Sequence, residues 1–347
     1  MSALIQTPQQ VGSMLTDEMG RISVNAGRSW IGKDGRSYIN VNGKAQPVQA
    51  NALLQKDEWI SYDSTVREIT SIRLNGINDL RSSGLVYNAG DLGSTIAEWD
   101  ASSDMTAAEI NMAGVTETEK DTVAFTLAGV PIPIVRKDFQ VNIRRLLASR
   151  RMGASVDTTG AQIAGRLVAE KSEDMLFNGA GLTSGGYTVY GYTNHPQRNT
   201  GSLTYDWAAA GTTGKQIYTD MLEMIKALET DRHYGPYMVY VPSNFWTKLD
   251  EDYSDTKGEN TIYDRLKANS KIMDVKVADV LTADQVVMVQ MTSDVVDLAV
   301  AQDVTTVQWE RGDGMQTNFA VMAAWAPRIK PDYDNKLGIA HFTYTSA

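Results

Sequence analysis

Residues 130–181 read VPIPIVRKDFQVNIRRLLASRRMGASVDTTGAQIAGRLVAEKSEDMLFNGAG, and the change of character within them decides the fold. An extended segment, PIPIVRKDFQV, leads through RRLLASRRMG into one long helix. Gly160, Ile163, Ala164, Leu167, Val168, Met175 and Leu176 recur at three- and four-residue steps, whereas Arg166, Glu170, Lys171, Glu173 and Asp174 fall mostly elsewhere. The spacing predicts a helix over 157–178, roughly 30 Å long at 1.5 Å per residue. Asp157 is placed to act as its N-cap, and Gly179 supplies the left-handed residue that closes the far end. One side of this helix is expected to pack. The other, carrying Glu173, is expected to be solvated or to pair with a neighbour.

At 347 residues the chain can bury roughly three quarters of the surface its unfolded form exposes, enough for one elaborate domain or two compact ones. Apolar residues at 42% and charged residues at 21% are ordinary globular values, which argues against disorder and fibrous classes. With no cysteine, disulfides, thiolate metal sites and cysteine nucleophiles are excluded. The opening MSALIQTPQQVGSMLTDEM lacks the pattern of a signal peptide, and no apolar run is long enough to span a bilayer, so a soluble cytoplasmic protein without membrane partners is expected. A net charge of −10 opposes a protein that binds nucleic acid by neutralising phosphates. It does not oppose a container whose wall need only tolerate a polyanion.

Residues 27–31 (GRSWI) and 35–39 (GRSYI) form a short tandem repeat, with Asp34-Gly35 between and Asn42-Gly43 after, which reads as a hairpin with turn signals. An isolated hairpin is marginal in water, so Trp30 and Tyr38 are candidates for packing on another surface. Residues 56–81 read as one or two helices before Gly76. Residues 83–128 are polar and weakly patterned, with strands at 85–87, 95–99 and 122–127, and a stretch of this length within a compact domain makes sense only as an excursion. Residues 179–214 are loop-rich. From Lys215 the pattern alternates: a helix through Ile217, Met221, Leu222, Ile225 and Leu228, a strand at 237–241, helices at 243–250 and 260–268, and strands at 286–291, 295–300, 304–309 and 318–325.

The order PIPIVRKDFQV, RRLLASRRMG, EDMLFNGAG resembles the peripheral domain of tailed-bacteriophage major capsid proteins and encapsulins, which share the Hong Kong 97-like capsid fold. YGYTNHPQR and the pattern of residues 215–331 lend weaker support. The resemblance implies an α+β chain with an N-terminal arm (1–55), a helical segment (56–82), an extended β loop (83–128), a peripheral domain (129–200) with its spine helix (157–178), an axial domain (201–330) and a C-terminal return to the peripheral domain (331–347). It further implies a structural protein that assembles into hexamers and pentamers of an icosahedral head around double-stranded DNA in a virion. Assembly would take place in the bacterial cytoplasm with scaffold, portal and cement proteins as partners. An encapsulin shell around cargo enzymes is the alternative. Chain length and a Gly/Asn-rich arm, where encapsulins carry an amphipathic helix, favour the phage.

Chemistry-bearing motifs are poor. His195, His233 and His341 are too scattered for a metal triad. Gly211–Gln216 (GTTGKQ) lacks the first glycine and final Ser or Thr of a phosphate loop and reads as a turn into a helix. Residues 250–261 lack the glycine and bidentate glutamate of a calcium loop, and Arg311-Gly312-Asp313 reads as a strand-to-strand turn. An isopeptide cross-link of the capsid kind would need Lys120 with Asn335 beside Asp332 or Asp334, a loose match. No catalytic, cofactor or metal residue is assigned, and no enzyme activity is expected. The strongest pattern is a pair of opposed charge patches. Glu98, Asp100, Asp104, Glu109, Glu117, Glu119 and Asp121 stand against Lys120 alone, whereas Arg136, Lys137, Arg144, Arg145, Arg150 and Arg151 stand against Asp138 alone. By the resemblance, the extended loop of one subunit overlies the peripheral domain of the next. Glu117, Glu119, Asp121, Arg136, Lys137, Arg144, Arg145, Trp30 and Tyr38 are therefore the candidate inter-subunit contacts, with a DNA-facing basic strip as the competing reading.

Overall fold

The computed structural model describes residues 22–25, 29–31, 37–41, 44–47, 64–66, 68, 70, 74–107, 110, 112, 121–142, 144, 158–253, 260–310 and 316–345, with backbone alone for 22–47. Asp157, Arg145, Glu117, Glu119, Lys120 and the Arg311-Gly312-Asp313 turn lie outside them. The chain divides into two units. One comprises 1–61, 140–158 and 308–319, and the other 62–139, 159–307 and 320–347.

In the first unit β1 (Ile22–Asn25), β2 (Ser29–Ile31), β3 (Ser37–Val41) and β4 (Lys44–Pro47) form a four-stranded antiparallel meander. The tandem repeat is thus more than a hairpin: its two copies are neighbouring strands, with Trp30 in register with Tyr38. The remaining two strands arise on either side, and Asn42-Gly43 is the two-residue link between β3 and β4 that the turn signal predicts.

In the second unit helical residues at 64–66, 68 and 70 precede α1 (Asn75–Ser82), whose first turn contains Gly76, where the sequence suggested a helix end. The reason is packing. A Cβ on Gly76 would lie 2.7 Å from Leu176 Cδ2 and 3.2 Å from Phe177 Cε2, so glycine is what lets α1 approach α2 (Thr159–Asn178) this closely. The long helix α2 buries Ala161, Ala164, Gly165, Val168, Ala169, Met175, Leu176 and Phe177. Ile163 is exposed, and Glu173, assigned by its charge to the solvated side, is buried at 3% exposure. Its carboxylate accepts hydrogen bonds from the Gly76 N–H (2.6 Å) and the Ile77 N–H (3.5 Å), groups at the start of α1 that have no partner within that helix. At its far end α2 closes on Gly179, at φ +73°, as its sequence required. The YGYTN loop then completes the cap: Tyr192 N–H donates to Leu176 O, Thr193 N–H to Phe177 O, and Asn194 Nδ2 to Asn178 O.

Beyond the small hairpin β9 (Thr183–Ser184) and β10 (Tyr187–Thr188), the chain builds a five-stranded mixed sheet. Its members are β11 (Asn199–Ser202), β12 (Tyr237–Val241), β13 (Ile272–Val277), β14 (Gln285–Gln290) and β17 (Ile339–Thr343), ordered β11-β17-β14-β12-β13. Every residue of β12 is buried. Helix α3 (Gly214–Thr230) lays Ile217, Met221, Met224, Ile225 and Leu228 on this sheet, with Trp207, Phe245 of α4 (Ser243–Leu249) and Leu266 of α5 (Ile262–Lys267) completing the core. GTTGKQ is the start of α3, where the Thr213 N–H donates to Gln216 Oε1 at 2.8 Å, half of a capping box and no phosphate cradle.

The C-terminal strand β17 lies between β11 and β14 in this sheet, and four of its five residues are buried. One expectation changes here. The strands expected at 295–300 and 304–309 are one continuous strand, β15 (Val296–Glu310), and the next, β16 (Gln316–Ile329), is likewise long. They join β5 (Val86–Asn88) and β8 (Ile134–Asn142) in a second sheet ordered β5-β15-β16-β8.

Candidate inter-subunit surface

Within the excursion, β6 (Ile96–Ser102) and β7 (Phe125–Pro131) form a two-stranded antiparallel ribbon, with Ile96 opposite Pro131 and Ser102 opposite Phe125. Beyond them the pairing continues through Ser103 N–H to Ala124 O and Ala124 N–H to Ser103 Oγ. Alternation sorts the side chains into two faces. One carries Ala97, Trp99, Val130 and Ala128; the other carries Glu98, Asp100, Leu127 and Phe125. On that second face Leu127 is 54% and Phe125 69% exposed, and Ile134 at the start of β8 is 55% exposed. A two-stranded ribbon is marginal alone in water, and this one leaves two large apolar side chains uncovered between the acids of that face.

The root of the ribbon is held firmly. Arg328 on β16, buried, makes two hydrogen bonds of 2.6 Å to Asp297 on β15, and Lys330 adds a third contact of 2.6 Å to the same carboxylate. The guanidinium lies 3.7 Å from the centre of the Tyr87 ring on β5 and 5.7 Å from that of Trp99, so one buried cation ties β6 to the sheet. Ile132 N–H donates to Thr95 O at the ribbon's base. Sequence reading missed Arg328 and Asp297; their alternation within a long strand gave no sign that two charges face inward.

The charge patches are partly committed within the subunit. Arg136, itself exposed, forms a fork with Asp138 two residues on (2.6 and 3.0 Å), and Lys137 and Arg144 are exposed beside it on the described part of the strip. Asp121, exposed, accepts from the N–H groups of Thr106 (2.9 Å) and Thr122 (2.8 Å), and these bonds hold its carboxyl below the usual carboxylate range. It therefore ties the two arms of the excursion together and still presents its charge. Glu98, Asp100 and Asp104 are exposed on the same arms. Trp30 and Tyr38 are brought opposite each other in the N-terminal meander.

The three histidines are buried. Burial, helped by Arg198, pushes His195 and His341 down to about 4. Arg198 Nε donates to His341 Nδ1 (3.2 Å), and Gln197 N–H to His195 Nδ1 (3.3 Å). Among the described residues no group of three His, Cys, Asp or Glu could hold a metal ion. Asn335 accepts from Gln197 Nε2 at 2.8 Å.

Residues 49–342 match the family described as "Family of unknown function (DUF6260)". The chain belongs to this family. The DUF6260 chain is also 25% identical over 285 residues, 80% of its own length and 91% of the relative's, to the type 1 encapsulin shell protein EncA of Myxococcus xanthus strain DK1622. In three dimensions it is similar to the virus-like particle from Pyrococcus furiosus (TM-score 0.57, 18% identity, covering 81% of this chain and 99% of that one). It is similar too to the capsid of Myoviridae phage XM1 (TM-score 0.60, 11% identity, 78% and 92% covered). The DUF6260 chain has the Hong Kong 97-like capsid fold, in the mixed α+β form expected of it. No helix among the described residues is long and apolar enough to cross a membrane.

Proposed function

We propose that this protein is the shell subunit of an icosahedral capsid, the major capsid protein of a tailed-bacteriophage head that encloses double-stranded DNA. The observation that carries the assembly claim is the ribbon: a rigidly rooted two-stranded projection whose outer face exposes Phe125 and Leu127, surface that a second copy of the chain would cover. A structural role fits relatives described as shell and capsid proteins better than catalysis does. The family's extended-loop geometry would set the ribbon of one subunit on the basic strip of the next, with Glu117, Glu119 and Asp121 facing Arg136, Lys137, Arg144 and Arg145. Hexamers and pentamers, with scaffold, portal and cement proteins, complete the reading, and the protein's place is the virion, assembled in the host cytoplasm.

A nanocompartment shell is the second reading, favoured by the sequence similarity to EncA over 285 residues. The β1–β4 meander occupies residues 22–47, a region from which the encapsulin reading would draw an amphipathic helix, and this supports the phage head. Particles purified from the native host decide between the two. Nuclease-protected double-stranded DNA of uniform length supports the head; a co-purifying protein cargo without DNA supports the compartment.

A further inference from the structure

Glu173, in the C-terminal half of the long helix, is not alone. Asp79 of α1 is 2% exposed, and its carboxylate accepts the Tyr240 hydroxyl of β12 (3.0 Å) and pairs with the Lys276 ammonium of β13. Tyr192, which follows the C-terminal end of α2, is fully buried, and its hydroxyl has no hydrogen-bond partner. Phe177 seals the group, its ring 5.4 Å from that of Tyr192 and 5.0 Å from that of Tyr240. Ser172, on the same helix, turns its hydroxyl to Val168 O and contributes no charge. The outward charges nearby are spent elsewhere: Lys171 on Asp174 and Arg81 on Asp303.

The cluster therefore holds two buried carboxyl groups and one ammonium. An unpaired charge in such a place is strongly disfavoured, and the cheapest correction is a bound proton. The counter-charge says where it resides. Asp79 has the Lys276 ammonium beside it to balance a negative charge, while Glu173, equally buried, meets only the dipoles of two backbone N–H groups. We propose that Glu173, buried beside the Asp79–Lys276 pair, is a one-proton site that latches α1 onto α2, closed when protonated and weakened when the proton leaves. Glu173 is pushed up to about 7, chiefly by burial and further by the Asp79 charge, against the pull of the Gly76 and Ile77 N–H groups. Burial and the same carboxylates drive the Tyr192 and Tyr240 hydroxyls well above their ordinary value, so neither competes for the role.

The sign follows from linkage. In the unfolded chain Glu173 ionises near the ordinary glutamate value, so between about 4.5 and 7 the folded chain holds the extra proton. Stability from this group is greatest below that window and falls as pH rises through it. Glu173→Gln keeps an acceptor for the Gly76 N–H and removes the titration. Hydrogen exchange of the α1 amides in the full chain, corrected for intrinsic rates, is compared at pH 6 and pH 8 for wild type and E173Q. Wild type is expected to lose on the order of tenfold or more in protection over that interval relative to E173Q. Parallel profiles for the two proteins overturn the proposal. Should E173Q not fold, infrared difference spectra of the wild type serve instead: a protonated buried carboxyl band present at pH 6 and gone by pH 8.5 supports the latch, and its absence at pH 6 refutes it.

Discussion

The β6–β7 ribbon and the five-stranded sheet are made of strands of similar length, yet they solve opposite problems. In the sheet, β12 and β14 are buried on both faces, pressed between α3 on one side and further apolar side chains on the other, and read as unbroken apolar runs, YMVYV and VVMV. In the ribbon, one face turns Trp99 and Val130 toward the root and the other offers Phe125 and Leu127 to solvent. The sheet carries its own stability. The ribbon is tied at its root by Arg328, and beyond that Phe125 and Leu127 stay exposed; on the proposed reading a second copy of the chain covers them. Folding and assembly are therefore assigned to different residues, and substitutions should separate them.

The largest separation is expected at Phe245, fully buried beside Trp207. Phe245→Ala should lower unfolding stability by about 3–5 kcal/mol in urea titrations, whatever the state of assembly. Next is the ribbon root: Asp297→Asn leaves Arg328 and Lys330 without their carboxylate and should cost about 3 kcal/mol. It should also free the ribbon, seen as loss of exchange protection at 96–102. An effect of similar order belongs to pH. The unfolded chain protonates His195 and His341 near the ordinary value of 6.5, whereas the folded chain does so only at about 4, so stability should fall as pH drops across that interval. His341→Gln should flatten the slope. The smallest effect per contact is the charge pairing. Arg144→Glu with Arg145→Glu should impair assembly, and adding Glu117→Lys with Glu119→Lys should partly restore it, at about 0.2–1 kcal/mol per exposed pair. Particle yield by electron microscopy reads this out.

Much of this division was legible beforehand. Periodicity located α2, α3 and β12 to within a few residues because a long apolar stripe has one geometric meaning. Gly179 announced the helix end because a left-handed residue is demanded there. What escaped notice were polar residues whose partners are distant in sequence. Glu173 satisfies backbone groups 97 and 96 positions away, and Arg328 finds Asp297 and Tyr87 across a sheet. A charge in an amphipathic pattern looks solvated until its partner is known.

The most direct test concerns the bare face of the ribbon. Phe125→Asp with Leu127→Asp changes two exposed side chains on that face. Wild type and variant are compared by sedimentation velocity and electron microscopy, with thermal melting of each followed in parallel. The account predicts that wild type forms closed shells or capsomers, and that the variant melts within a few degrees of it yet remains as free subunits. Wild-type protein that stays a 38.1 kDa monomer across a wide concentration range, or a variant that assembles as well as the parent, would contradict it.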